Sequence, residues 1–526
     1  MAGEPALAPT MATNAAGLAA ACCDRWADGS GRPAILNLCD GGLVERVGFD
    51  GLRAVSTRFA QVLLARGIGA GDRIAVLLPQ GPEALVAVLA ADRLGAVAVL
   101  PPTGAGVQTL AEVLRATRCV AAVLDEASLD LLPPARFGLP GLDHLFCTDG
   151  ARDGAACFWT EADRAHDLPP PSPGGPGMAS LLFHAADAMG RRRSILHARR
   201  SVLAQADAFL AQYGKAGPGE LFWTAADWTG PGGLLDAMLP ALALGRPVLT
   251  MASRGFDPVR ATNILSRLPV RDALLPPAAL RAMRDAGTPP PAAGPLRSIG
   301  TFAGVLGPDM LAWAAGHFGV PLREALSHPE CGVYAVSDPD APLQLRRAPG
   351  RRVVALDPQG RPLPQAIAGI LALRRPDPGL FIGYWGDDAA TRAAFGSPWI
   401  PTGETGSVAP DGTIALLPPP AATSGAAGEA LAACLRGHPA VAAALLVPDA
   451  AEDGLPPTAI VVPRPGTSPG PALAATLRGF LRDRFPARLC PRRVAFAQAL
   501  PVHGVVHSAP GLIAATRGIG SGPAGG

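Results

Sequence analysis

GDRIAVLLPQGPEALVAVLAADRLGAVAVL, residues 71–100, decides the fold. DRIAVLLP is a short apolar run of strand length, with no charge after its second residue, which predicts a strand buried on both faces. GPEALVAVLAADRLG carries apolar residues at helical spacing, and AVAVLPP is a second buried strand. Strand, helix, strand at this spacing is the βαβ unit, whose crossover leaves the two strands parallel.

The same alternation extends both ways. Upstream, LVERVGF reads as a strand and DGLRAVSTRFAQVLLARG as a helix with Asp50 as its N-cap. Downstream come the helix VQTLAEVLRATR and the strand CVAAVLD. Residues 132–178, rich in Pro and Gly, predict surface loops leading to a second unit. That unit opens with a hairpin of SLLFHA (180–185) and RRSILH (192–197), then alternates again through RSVLAQADAFLAQYG, LFWTAAD, GGLLDAMLPALALG, RPVLTM and DPVRATNILSRL. From about residue 345 the texture becomes strands and turns, RRVVALD, AGILALRRP and GTIALL, and from about residue 412 an α/β tail begins. The expected class is α/β: a large two-subdomain doubly wound N-terminal domain with a β-rich subdomain, and a small α+β C-terminal domain.

Bulk properties agree. A chain of 526 residues exceeds the roughly 250–300 that one core serves. Apolar residues at 49% and charged residues at 17% exclude a disordered chain, while +2 formal charge, from 45 basic and 43 acidic side chains, gives no field that favours nucleic acid or an anionic membrane. The N-terminus lacks the charged and apolar regions of a signal peptide, and no apolar stretch predicts a membrane span, so a cytoplasmic protein is expected. Nine cysteines, Cys119 and Cys434 among them, have neither metal-site nor disulfide spacing, and adjacent Cys22 and Cys23 read as reduced thiols. The run Arg191, Arg192, Arg193 followed by Arg199 and Arg200 reads either as a solvated basic turn or as an arginine clamp for phosphate.

Taken in order, four stretches resemble the AMP-forming acyl-CoA synthetases of the adenylate-forming superfamily, nearest the acetyl-CoA synthetase and medium-chain branch: residues 71–100, ELFWTAADWTGPGGLLDAMLPALALGRPVL (220–249), RRPDPGLFIGYWGDDAATRAAF (374–395) and HPAVAAALLVPD (438–449). The resemblance covers roughly residues 14–507. It implies an AMP-binding synthetase domain over 14–404, its β-rich part at about 345–404, and a C-terminal domain over 412–515. It also implies a reaction in two halves, a small carboxylic acid with ATP and Mg giving acyl-AMP, then transfer to CoA.

The motifs that carry this chemistry in the family are altered here. The phosphate loop TSGTTGxPKG corresponds to Ala185 through Ser194, which keeps Gly190, places Arg191 beside it and sets Arg193 where the Lys stands. The adenine motif corresponds to Thr301, Phe302, Ala303 and Gly304. YGQTE becomes Leu326, Ser327, His328, Pro329 and Glu330, with Glu330 at the metal position. TGD becomes Thr402, Gly403 and Glu404, and Glu404 retains the acceptor pair for ribose. The hinge becomes the stiff run at Pro418, Pro419 and Pro420. His507 takes the place of the C-terminal catalytic Lys, and WTAADWTG, with Trp223, Asp227 and Trp228, belongs to the acyl pocket. Two readings follow, an acid–CoA ligase with a rebuilt nucleotide site, or an inactive relative that binds an acyl or CoA-like ligand or a partner protein. A serine hydrolase using His184 or His507 lacks the G-x-S-x-G elbow.

Overall fold

Residues 71–100 form the strand Arg73–Leu77, the helix Pro82–Leu94 and the strand Val97–Leu100, with Ile74 opposite Ala98 in a parallel pair. The computed structural model describes residues 17–497 except 40–41, 104, 133–138, 140, 153, 168–173, 187–191, 218, 254, 293, 303–305, 307, 339–340, 342–343, 418–430, 433, 448–457, 486–489 and 492. The expected residues Gly190, Arg191, Gly304 and His507, with the three prolines from Pro418, lie outside the described residues.

Two mixed sheets make the large domain. One has eight strands, parallel from Ala179–Ala186 through Val97–Leu100, Arg73–Leu77 and Ala121–Leu124, with Arg192–Ala198 and Gly383–Tyr384 added antiparallel at one end. The other has thirteen. Its parallel part runs Leu322–His328, Ser298–Phe302, Val270–Leu274, Leu221–Thr224, Val248–Thr250 and Pro33–Leu38. Helices shield these strands, and Pro82–Leu94 is buried at every position except Glu83, the pattern of a helix enclosed on all sides.

The β-rich stretch continues the second sheet. Gly332–Ser337 pairs antiparallel with Leu322–His328 and with Leu345–Arg347, and Thr413–Leu416 closes onto Leu345–Arg347 and Trp399–Val408. The large sheet therefore extends past residue 412, because the hairpin turn at Gly412 returns the chain to it. The small domain follows, with Val441–Val447, Thr458–Pro463 and Arg493–Phe496 in a three-stranded sheet and the helix Pro471–Arg482 against it. The hairpin read from 180–197 is present, with Ala185 opposite Arg193. Asp50 does not cap its helix: Gly48 is the N-cap of Phe49–Leu64, and the Asp50 carboxylate accepts from the Gly29 N–H at 3.0 Å.

The basic run divides. Arg199 is fully buried, its Nε 2.7 Å from Oδ1 of Asp92 on the enclosed helix. Asp92 Oδ2 also accepts from the Ala19 N–H at 2.9 Å, and Ser180 donates to its Oδ1 at 3.3 Å. One carboxylate thus fastens the first helix, the Ala179–Ala186 strand and the Arg199–Tyr213 helix to Pro82–Leu94. Arg199→Met leaves that carboxylate buried without its cation, and a loss of about 3–5 kcal/mol in urea unfolding is expected. A loss within experimental error of zero would mean that water reaches Asp92.

Candidate functional site

Glu330 sits in the tight turn between Leu322–His328 and Gly332–Ser337. All three carbonyls of the turn are engaged. Pro329 O accepts from His197 Nε2 at 2.8 Å, Glu330 O from the Phe381 N–H at 2.7 Å, and Cys331 O from Gln205 and from Arg351, each at 3.2 Å. Burial lowers the His197 pKa to about 4, so its ring is neutral and Nε2–H is the donor. Gly332 holds φ +65°, and a Cβ there would meet the Gln205 amide at 2.2 Å, so the turn requires glycine.

The Glu330 side chain is 2% exposed. Its Oε2 lies 2.5 Å from His328 Nδ1, and its Oε1 accepts from the Tyr384 hydroxyl at 2.9 Å. Above the Tyr384 ring, 5.2 Å from its centroid, is the guanidinium of Arg193, which is ion-paired to Asp387. Asp387 in turn caps the helix Asp388–Phe395, accepting from the Ala390 N–H at 2.8 Å. Tyr384 therefore joins Arg193, at the base of the phosphate-loop hairpin, to Glu330, at the expected metal position. The strand pairing of Gly383 with Leu196 sets this geometry.

Glu404 stands on the strand Trp399–Val408, half-buried, with Oε2 accepting from the Tyr334 hydroxyl at 2.9 Å. Tyr334 is four residues beyond Glu330, so one short segment supports both expected carboxylates. Its hydroxyl pKa is raised by burial first and by Glu404 second.

Phe302 ends its strand packed onto Gly232, where a Cβ would fall 2.7 Å from the ring. It shares a core cluster with Trp228, whereas Trp223 packs in a different cluster with Leu249 and Ile299. Asp227 accepts from the Thr229 N–H at 2.9 Å and shapes the intervening turn. Of the expected acyl-pocket residues, Trp228 thus belongs to the same core cluster as Phe302 and Trp223 to a neighbouring one. Leu326 is buried beside Tyr334 and Leu371.

Residues 23–385 match the family model of the AMP-binding enzyme, and residues 431–504 that of the AMP-binding enzyme C-terminal domain. The chain belongs to the AMP-binding enzyme family. A 3-hydroxybenzoate–CoA/4-hydroxybenzoate–CoA ligase of Thauera aromatica is 25% identical over 477 residues, 86% of this chain and 88% of the relative. An acetyl-coenzyme A synthetase of Pyrobaculum aerophilum is 25% identical over 491 residues, 83% of this chain and 72% of the relative. The solved acyl-CoA synthetase of Brucella canis has the same fold, with a TM-score of 0.70 at 23% identity, over 95% of this chain and 93% of its own. Acyl-CoA ligases of the AMP-binding family use ATP, magnesium and CoA.

In this AMP-binding family member Glu330 keeps one carboxylate oxygen, Oε2, without a hydrogen bond, an acceptor that fits magnesium. The ion takes oxygen ligands at about 2.0–2.1 Å in octahedral array, usually one or two carboxylates with waters and substrate phosphates. Glu330 Oε1 accepts from Tyr384, and among the described residues no group of three or more His, Cys, Asp or Glu side chains gathers within reach of one ion, so phosphate and water oxygens would complete the set.

Reading the motifs missed Tyr384, His328, Asp387 and Tyr334, and it missed Asp236. Asp236 lies in a one-turn π-helix, Leu234–Met238, within the acyl-pocket segment, and accepts from the Ser327 hydroxyl. Such turns occur frequently at functional sites. Burial pushes the Asp236 carboxyl from 3.8 up to about 7, with the Ser327 bond and Arg351 opposing. Between those values the folded protein holds a proton that the unfolded chain has lost. Asp236 therefore stabilises the fold most below about pH 4, its contribution falls by up to about 1.4 kcal/mol per pH unit as pH rises, and above about 7 it is level. Asp236→Asn removes the term, so the variant should gain about 2 kcal/mol relative to the parent between pH 5 and pH 8 in urea unfolding. A stability difference that does not change with pH would contradict a carboxyl raised by burial.

Proposed function

We propose that the chain joins a short or medium carboxylic acid to CoA through an acyl-adenylate. The observation that carries this reading is Glu404: a carboxylate oriented by Tyr334 at the position of the family's ribose-binding Asp, just before the small domain. Two carboxylate oxygens match the 2′ and 3′ hydroxyls of ribose.

In the first half-reaction a carboxylate oxygen of the acid bonds to the α-phosphorus of ATP, and the bond to the leaving pyrophosphate breaks. In the second the CoA sulfur bonds to the acyl carbon, the acyl C–O bond breaks, AMP leaves and the thiol proton passes to solvent. Glu404 fixes the ribose. Arg193, with Gly190 and Arg191 of the adjoining loop, meets the phosphates, and the Asp387 pair keeps the Arg193 guanidinium oriented. By their motif positions Phe302, Gly304 and Leu326 are the adenine-side residues, and His507 is the C-terminal group for the reacting carboxylate. Trp223, Asp227 and Trp228 shape the acyl side, where Phe302 packs closely onto Gly232. Cytoplasmic location accords with nine cysteines that form no disulfide, and among the described residues no helix is long and apolar enough to cross a membrane.

The test is ATP–pyrophosphate exchange across a panel of short, medium and aromatic acids. At least one acid should raise exchange above the acid-free rate, and Glu404→Ala should weaken AMP binding by about 1.5–3 kcal/mol, the scale of hydrogen bonds to a charged group. No stimulation by any acid, together with AMP affinity unchanged in the variant, would overturn the proposal.

A further inference from the structure

The acyl-pocket segment lies across the ends of two neighbouring parallel strands. Phe302, the last residue of Ser298–Phe302, packs onto Gly232, and Ser327, near the end of Leu322–His328, donates to Asp236 four residues further along the segment. The first contact is apolar. The second is polar and incomplete: Ser327 donates to Oδ2 of Asp236, while Oδ1 lies buried with no hydrogen bond, in a side chain that is 6% exposed. Arg351 acts on this carboxyl without bonding to it, being ion-paired to Asp377 and bonded to the Cys331 carbonyl. A carboxyl oxygen held out of water without a partner is strongly disfavoured, and an apolar side chain of the same size would avoid that cost. Ser327, Pro231 and Gly232 each keep part of their surface exposed, so an opening reaches the donor of this carboxyl. It lies at the carboxyl ends of parallel strands, where ligands enter doubly wound sheets.

We propose that Asp236, oriented by Ser327, sets the specificity of the acyl pocket by receiving a hydroxyl or amino group carried on the chain of the acid. The substrate class is then a short carboxylic acid with a hydrogen-bond donor set apart from the reacting carboxylate, an assignment that rests on the ligase reading above. A hydroxyl or amine bonded to Oδ1 gives that oxygen the partner it lacks within the protein. A plain alkyl chain of the same length buries it against hydrocarbon instead, and a site built for a polar group rejects the analogue without one. Burial pushes the carboxyl up to about 7, so near neutral pH both of its forms are accessible. The ionised form accepts from an ammonium, and the neutral form exchanges hydrogen bonds with a hydroxyl.

Calorimetric titration of the full chain with butyrate, the hydroxybutyrates and the aminobutyrates, with and without α,β-methylene-ATP, is the test. At least one donor-bearing acid should bind about tenfold or more tightly than butyrate, the scale of one hydrogen bond to a charged group. Asp236→Leu keeps the bulk of the side chain and removes an unsatisfied carboxyl, so it should fold, bind butyrate as the parent does and lose the preference. Asp236→Asn separates the two donors: it keeps an acceptor oxygen for a hydroxyl and has no charge for an ammonium, so a preference for a hydroxy acid survives it and one for an amino acid does not. ATP–pyrophosphate exchange with the same acids keeps the two readings apart. A binding preference without exchange removes the ligase reading alone, and exchange that treats butyrate and its derivatives alike removes the role of Asp236 alone. The parent needs no variant to fail: no donor-bearing acid bound more tightly than butyrate, no binding of any of them, or a preference that survives Asp236→Leu would overturn the proposal.

Discussion

A carboxylate taken out of water must find partners, and the site is arranged around how Glu330 does so. Its Oε1 accepts from the Tyr384 hydroxyl, its Oε2 lies against the His328 ring, and its carbonyl accepts from the Phe381 N–H. These bonds draw together the 326–334 turn, the 380–387 segment and the Arg192–Ala198 strand, which belong to different sheets. Breaking a buried pair by removing one partner costs about 3–5 kcal/mol, so the junction has a strongly preferred arrangement. Tyr334 follows on the outgoing strand and positions Glu404, which makes the carboxylate proposed for ribose a dependent of the same turn.

The layered fold was legible because buried parallel strands and enclosed helices leave local signatures. Residues 71–100 show it, as does the 180–197 hairpin, where two apolar runs flank a short polar link. Long-range pairing left no such mark. The strands after 345 read as a subdomain, and only their pairing with Gly332–Ser337 shows that they continue the large sheet. Arg199 looked like part of a surface run because its partner, Asp92, lies 107 residues away inside a mostly apolar helix. The site was legible in outline for the same reason: Arg193, Glu330 and Glu404 stand at motif positions, but what each touches comes from elsewhere in the chain. Tyr384 sat inside the quoted GYWGDD, with nothing local to connect it to Glu330. Leu326 and Trp223 are buried in core clusters other than the one that holds Phe302.

Substitutions that look like losses in a motif acquire partners in the structure. Ser327 replaces a glycine of the family motif and donates to Asp236, and the His328 ring lies against Glu330. Arg193 replaces a lysine, and its planar fork meets both the Asp387 carboxylate and the Tyr384 ring. Arg193, Tyr384 and Glu330 are connected in this way, and Glu404 takes its donor from Tyr334.

A structure of the full chain with magnesium and a sulfamoyl analogue of an acyl-adenylate tests this account most directly. The account predicts both ribose hydroxyls on Glu404, its carboxylate still oriented by Tyr334. A ribose seated away from Glu404 would contradict it.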